Sequence, residues 1–148
     1  MDMSKQELRC RKILFIINYS IDLICPKCNN QIFYVGSKYE LICKKCAFKR
    51  EVTRNTFFHN TRIGLSKYFQ ICYRYKNNDY KIHYKDLTKN YKLSTKTAYR
   101  IKNTLKNNIA FIDKISAKYV LKNSVLNNQI KRTKKTIKLK NYYESLDL

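Results

Sequence analysis

The sequence predicts an α+β chain in which a small zinc-ribbon β-hairpin domain is followed by a helical helix-turn-helix domain and a basic tail. Three observations predict it. Two Cys-x-x-Cys pairs, Cys25/Cys28 and Cys43/Cys46, flank a hairpin-like segment. Apolar residues then recur at helical spacing in successive stretches between Tyr68 and Leu105. Finally, 32 Lys and Arg stand against 10 Asp and Glu, for a net charge of +22 over 148 residues. The boundaries that follow are an N-terminal helix over 1–22, a ribbon over 23–55, a helix-turn-helix over 56–110 and a basic segment over 111–148.

In the first segment, Leu8, Ile13, Leu14, Ile16 and Ile17 lie among basic residues and suit a short helix packed on the ribbon, with a strand as the alternative. The apolar run 13–17 is far short of the roughly 20 residues that span a bilayer. Asn18 and Asp22 interrupt it, and no small-residue cleavage site follows, so a signal peptide is a poor reading.

A Cys-x-x-Cys turn puts two sulfurs on one side of a tight knuckle, and two facing knuckles close a four-thiolate shell with no open position for water. One structural zinc ion held by Cys25, Cys28, Cys43 and Cys46 is therefore expected. Competing readings are two disulfides, a redox dithiol or packing cysteines; the paired spacing around a hairpin favours zinc. Ile32 to Val35 is the outgoing strand, Gly36-Ser37-Lys38 the turn and Tyr39 to Ile42 the return, with Phe48 to Val52 as a third strand. Pro26 and Asn29 suit a knuckle, because proline fixes φ and asparagine tolerates the left-handed region. Cys10 and Cys72 sit beside apolar residues as buried free thiols, which fits an intracellular, reducing compartment.

Phe57, Phe58 and His59 form an aromatic cluster with no period, and His59 reads as a packing or hydrogen-bonding residue rather than a fifth ligand. Leu65-Ser66 resembles an N-cap signature, and Tyr68, Phe69, Cys72 and Tyr75 give a helix over about 66–76, stopped by Asn77-Asn78-Asp79. Ile82, Leu87, Tyr91 and Leu93 outline a second short helix. Ser94 caps a third, whose inward face is Ala98, Ile101 and Leu105. Its outward residues, Thr95, Lys96, Tyr99, Arg100, Lys102, Asn103 and Lys106, are rich in donors for phosphates and base edges. Taken alone this is an ordinary amphipathic helix with a solvated basic face. Beside the cysteine pairs and the charge, it reads as a DNA-recognition helix whose first turn enters the major groove.

From Asp113 the chain is rich in Lys and Asn. Ile115, Tyr119, Leu126 and Ile130 permit another helix, and Lys131, Arg132, Lys134 and Lys135 suit phosphate contacts or a solvated tail. A polyanion is the expected partner, since four thiolates and one Zn²⁺ lower the net charge only from +22 to +20. An A/T-rich gene would inflate Lys, Asn, Ile and Tyr whatever the function. The charge counts because 13 Tyr and 7 Phe are interleaved with it, offering stacking surfaces. A membrane surface is the weaker partner.

The order of parts resembles bacterial insertion-sequence transposases that begin with a transposase zinc ribbon and helix-turn-helix, and their Merlin-type relatives. The matching stretches are Cys25-Pro26-Lys27-Cys28, Cys43-Lys44-Lys45-Cys46, Asn55 to Ile63 with Leu65 to Phe69 behind it, and Ser94 to Arg100, and the resemblance as a whole covers roughly residues 8–110. The resemblance implies binding of duplex DNA at transposon ends, ahead of an RNase H-like catalytic domain. That domain finds no match here. Two-metal cleavage needs converging carboxylates, and after residue 110 only Asp113, Glu144 and Asp147 occur. A binding protein rather than an enzyme is expected, acting alone or with a catalytic transposase chain in trans. Lys92 stands where the family often has glycine, and His83 where a small capping residue is common. An RNA- or single-strand-binding zinc-ribbon protein is the second reading, and a nuclease with an unrecognised site the third.

Overall fold

Among the described residues, short strands around the cysteine pairs and amphipathic stretches elsewhere produce six helices and a small three-stranded antiparallel sheet. The computed structural model describes residues 3–18 and 24–144, except the side chains of 136 and 138–144. The elements are α1 (Lys5–Asn18), β1 (Phe33–Val35), β2 (Leu41–Cys43), β3 (Lys49–Arg50), α2 (Leu65–Asn77), α3 (Tyr84–Tyr91), α4 (Thr95–Lys106), α5 (Ile109–Tyr119) and α6 (Asn123–Glu144). They divide into two compact units: Met1–Thr56 with Lys122–Leu148, and Phe57–Leu121. Among the described residues, no helix is long and apolar enough to cross a membrane.

In the first unit the strand order is β1-β2-β3, with Phe33 opposite Cys43, Val35 opposite Leu41 and Leu41 opposite Arg50. The β1–β2 turn closes when the Gly36 N–H donates to Glu40 O at 2.8 Å, with Tyr39 at φ 62°. Helix α1 buries Cys10, Ile13, Leu14 and Phe15, and places the Phe15 ring 5.8 Å from Tyr39. Burial first, then Glu7, push the Cys10 thiol up to about 12, which keeps it protonated and inert. The Asn18 amide donates to Val52 O at 3.0 Å and ties α1 to the chain beyond β3. Helix α6 returns to pack on α1. Its buried Leu126, Ile130 and Ile137 share one face, and Lys12 donates to Asn127 at 3.0 Å.

The second unit is built on aromatic burial. Phe58 is 2% exposed, and its ring meets Phe57 at 4.2 Å, Tyr68 at 5.0 Å and Phe69 at 5.3 Å. Helix α2 packs on α5, and α3 on α4. Tyr80 donates to Asp113 at 2.7 Å, and Lys76 lies 3.2 Å from the same carboxylate, joining the end of α2 to α5. The expected boundary at residue 110 therefore falls inside α5, whose Ile112 and Ile115 are buried against this unit, while residues from Lys122 onward belong to the first. A second difference concerns Ser66. The helix begins one residue earlier, at Leu65, with Gly64 as N-cap and no side-chain cap bond, so Ser66 lies in the first turn rather than at the cap.

Candidate metal centre and exposed helix face

The two cysteine pairs form matching knuckles. Around the first, the Cys25 N–H donates to Asn30 O and the Asn29 N–H to Cys25 O, both at 2.9 Å. Around the second, the Cys43 N–H donates to Phe48 O at 2.9 Å and the Ala47 N–H to Cys43 O at 3.0 Å. The residue four after the leading cysteine is left-handed in each, Asn29 at φ 55° and Ala47 at φ 57°. Asparagine adopts this region readily, whereas alanine does so against its Cβ. Lys44 N–H donates to Ile32 O at 2.9 Å, which holds the two knuckles face to face.

The four sulfurs lie within 4.8 Å of one another, with Cys25 to Cys46 at 3.5 Å and Cys28 to Cys43 at 3.6 Å. A tetrahedron with metal–sulfur distances of about 2.3 Å has edges of about 3.8 Å, so the donor set fits a four-coordinate ion. Cys25 and Cys43 are buried, and Cys28 and Cys46 half-buried. All four are free thiols. So many sulfurs cannot all ionise together without a cation, and their protons divide unequally. Burial opposes ionisation of Cys43, but the Cys46 and Lys45 N–H groups, the Asn30 amide and the Cys28 thiol outweigh it and draw the group down to about 6. The Asn30 N–H favours the Cys28 thiolate, yet burial and the sulfurs of Cys46, Cys43 and Cys25 push it up to about 12. A divalent ion removes this conflict. Thiolates in this arrangement suit zinc or iron, as soft or borderline ions.

Asn30 is a site residue that spacing did not reveal. Its amide donates to Ile32 O at 2.9 Å and to Cys43 Sγ at 3.6 Å, so it braces a ligand from outside the shell. A polar side chain two residues past a cysteine knuckle is the available signal. His59 is exposed and is not one of the four residues of the cysteine group.

In the second unit α4 presents a polar face. Ala98, Ile101 and Leu105 are buried, while Thr95, Lys96, Tyr99, Arg100, Asn103 and Lys106 are exposed and Lys102 is half-buried. The Ser94 hydroxyl accepts the Thr97 N–H at 3.3 Å and caps the helix as expected. Lys92, at the end of α3, is left-handed with φ 51°, so the turn forms without glycine. His83 caps α3 by accepting the Lys85 N–H on Nδ1 at 3.3 Å, a role its ring fills in place of a small hydroxyl. Buried Tyr68 of α2 hydrogen-bonds Thr104 of α4, and burial raises its phenol above the ordinary range. On α6, Lys131, Arg132 and Lys135 are exposed, whereas the Lys134 ammonium sits 5.6 Å from the centre of the Tyr39 ring. No family model matches the chain, and neither a curated protein nor a solved structure matches it.

Proposed function

We propose that this chain is a zinc-dependent duplex-DNA-binding protein of transposase type. Its zinc ribbon is a structural module, and α3 and α4 act as a helix-turn-helix with α4 as the reading helix. The observation that carries the reading is the α4 face: six exposed polar or aromatic residues, three of them cationic, on a side-chain-capped helix whose opposite face is buried. A rigid helix with donors on one side matches the width and donor/acceptor pattern of the major groove.

Thr95, Lys96, Tyr99, Arg100 and Asn103 contact bases. Lys102, Lys106 and the α6 cations Lys131, Arg132, Lys134 and Lys135 contact phosphates. Zinc, when bound by Cys25, Cys28, Cys43 and Cys46, supplies a closed cross-link and no reactive position. The role assigned is recognition, by occupying transposon-end or related sites, alone or with a catalytic chain in trans.

Selection of bound sequences from a random duplex pool, with zinc-loaded protein at about 150 mM salt, tests this. A recovered motif that Arg100→Ala weakens at one base position, by about 1 to 3 kcal/mol, supports it. An unenriched pool whose binding collapses as salt rises overturns it. RNA or single-strand binding is the second reading, favoured by exposed Tyr34 and Tyr99, which are 54% and 46% accessible.

A further inference from the structure

Three rings form a ladder across the start of α3 and the middle of α4. His83 lies 4.7 Å from Tyr84 between ring centres, and Tyr84 lies 4.4 Å from Tyr99 with the rings inclined by only 20°. Packing α3 onto α4 requires no such ladder at the surface, because Leu87, Ala98 and Ile101 are already fully buried in these helices. His83 is exposed, Tyr84 half-buried and Tyr99 46% accessible.

The order of the rings leaves an open end. Tyr84 is covered by His83 and by Tyr99, while among the described residues Tyr99 meets no ring other than Tyr84. Tyr99 is exposed, and so is Lys96, about one turn before it on the same helix. At the other end His83 borders an open concavity of about 400 Å³ that Lys81 and Asp86 also line. An exposed stacked pair of rings, with Lys96 on the same helix and Lys81 beside His83, attracts a planar, electron-rich partner joined to an anionic backbone. Inside a duplex, both faces of each base are covered by its neighbours. A base must leave its stack before it can extend the ladder.

We infer that the His83–Tyr84–Tyr99 ladder is a platform for one unpaired nucleobase, taken from a frayed end, a nick or a single-stranded flank of the nucleic acid that the protein binds. The inference rests on the nucleic-acid reading above but not on duplex sequence recognition. Tyr99 acts by stacking rather than by donating its hydroxyl to a base edge.

The test uses full-length, zinc-loaded protein and three oligonucleotides carrying one 2-aminopurine: fully paired in duplex DNA, in a DNA overhang, and in an RNA overhang. Binding should quench the unpaired probe and leave the paired one unchanged. Tyr99→Leu should abolish the quench and lower the ratio of unpaired to paired affinity by about 5- to 150-fold, while Tyr99→Phe keeps both. Using the ratio separates the ladder from any general loss of binding, and the two overhangs show which sugar the platform accepts. If the wild-type protein does not quench the unpaired probe, or if Tyr99→Leu lowers both affinities alike, the ladder is only a packing contact and the inference is overturned. A selected duplex motif without quenching would leave the proposed function standing and remove the platform. Quenching without a duplex motif would do the reverse.

Discussion

Removing the metal should unfold the knuckles and spare the second unit. Between residues 24 and 56 the large apolar side chains that become buried are Phe33, Ile42 and Val52. At about 1.5 to 3 kcal/mol each they contribute roughly 5 to 9 kcal/mol. A structural zinc ion bound by these thiolates would contribute about 10 to 16 kcal/mol at neutral pH, which would make it the largest single stabilising contribution to this stretch. The second unit instead buries eleven large apolar side chains, Phe58, Phe69, Leu105 and Ile112 among them, and none of the four cysteine ligands lies in it. Amide hydrogen exchange before and after chelation reads both units at once. The Asn29, Ala47 and Cys43 amides should lose protection, while the Ala98 and Ile112 amides, bonded to Ser94 O at 2.9 Å and Asn108 O at 3.0 Å, should keep theirs. Cys46→Ser should reproduce the effect without a chelator. Knuckle amides that stay protected without metal would refute the reasoning, because the strands would then be holding themselves.

Ala47→Gly should stabilise the metal-loaded first unit by about 1 kcal/mol, since Ala47 sits at φ 57° where a Cβ is strained; a urea titration monitored at the knuckle checks it. Asp113 is held below the ordinary carboxylate range first by the Tyr80 hydroxyl and then by Lys76. Its stabilising contribution is therefore full above pH of about 4 and is lost as pH falls through the folded value, so Asp113→Asn should flatten the acid limb of the second unit's urea midpoint against pH. If Lys131, Arg132, Lys134 and Lys135 all touch phosphates, replacing them with Gln should make the slope of log affinity against log salt shallower by about 3.6. An unchanged slope would leave them as a solvated face.

The cysteine centre and the α4 face were legible because each rests on a local rule. Paired Cys-x-x-Cys spacing fixes which sulfurs can converge, and a Ser94 cap followed by Ala98, Ile101 and Leu105 fixes which face turns inward. The left-handed positions were harder to read. With two glycines in the chain, these turns are carried by Asn29, Asn55, Asn60 and Asp79, but also by Tyr39, Ala47, Tyr80 and Lys92, which no glycine rule marks. The break between α5 and α6 was equally hidden, because Val120, Leu121 and Lys122 include neither glycine nor proline. Phe58 could be seen as aromatic but not as central. Its burial comes from α2 and α5 closing over a segment without period, a tertiary effect. The His83–Tyr84–Tyr99 ladder was missed for the same reason, since Tyr84 and Tyr99 are fifteen positions apart and only the packing of α3 on α4 brings them together.

The two units divide the charge evenly while dividing the means of stabilisation. The first holds eighteen Lys and Arg against seven Asp and Glu, and the second fourteen against three, so each carries +11 before any metal is counted. An even split means that charge alone does not locate an interface, and the proposal rests on how the cations are held. Those of α4 stand on a capped helix whose core is aromatic and aliphatic and needs no ion. In the first unit, Lys12 and Lys134 approach the Tyr39 ring at 6.0 and 5.6 Å, and that ring sits in the β1–β2 turn that the metal centre supports. Metal loss is therefore expected to loosen the array of cations on one unit and to leave α4 of the other intact. Under the proposed function, zinc sets how tightly the protein holds a phosphate backbone, and α4 sets which sequence it holds.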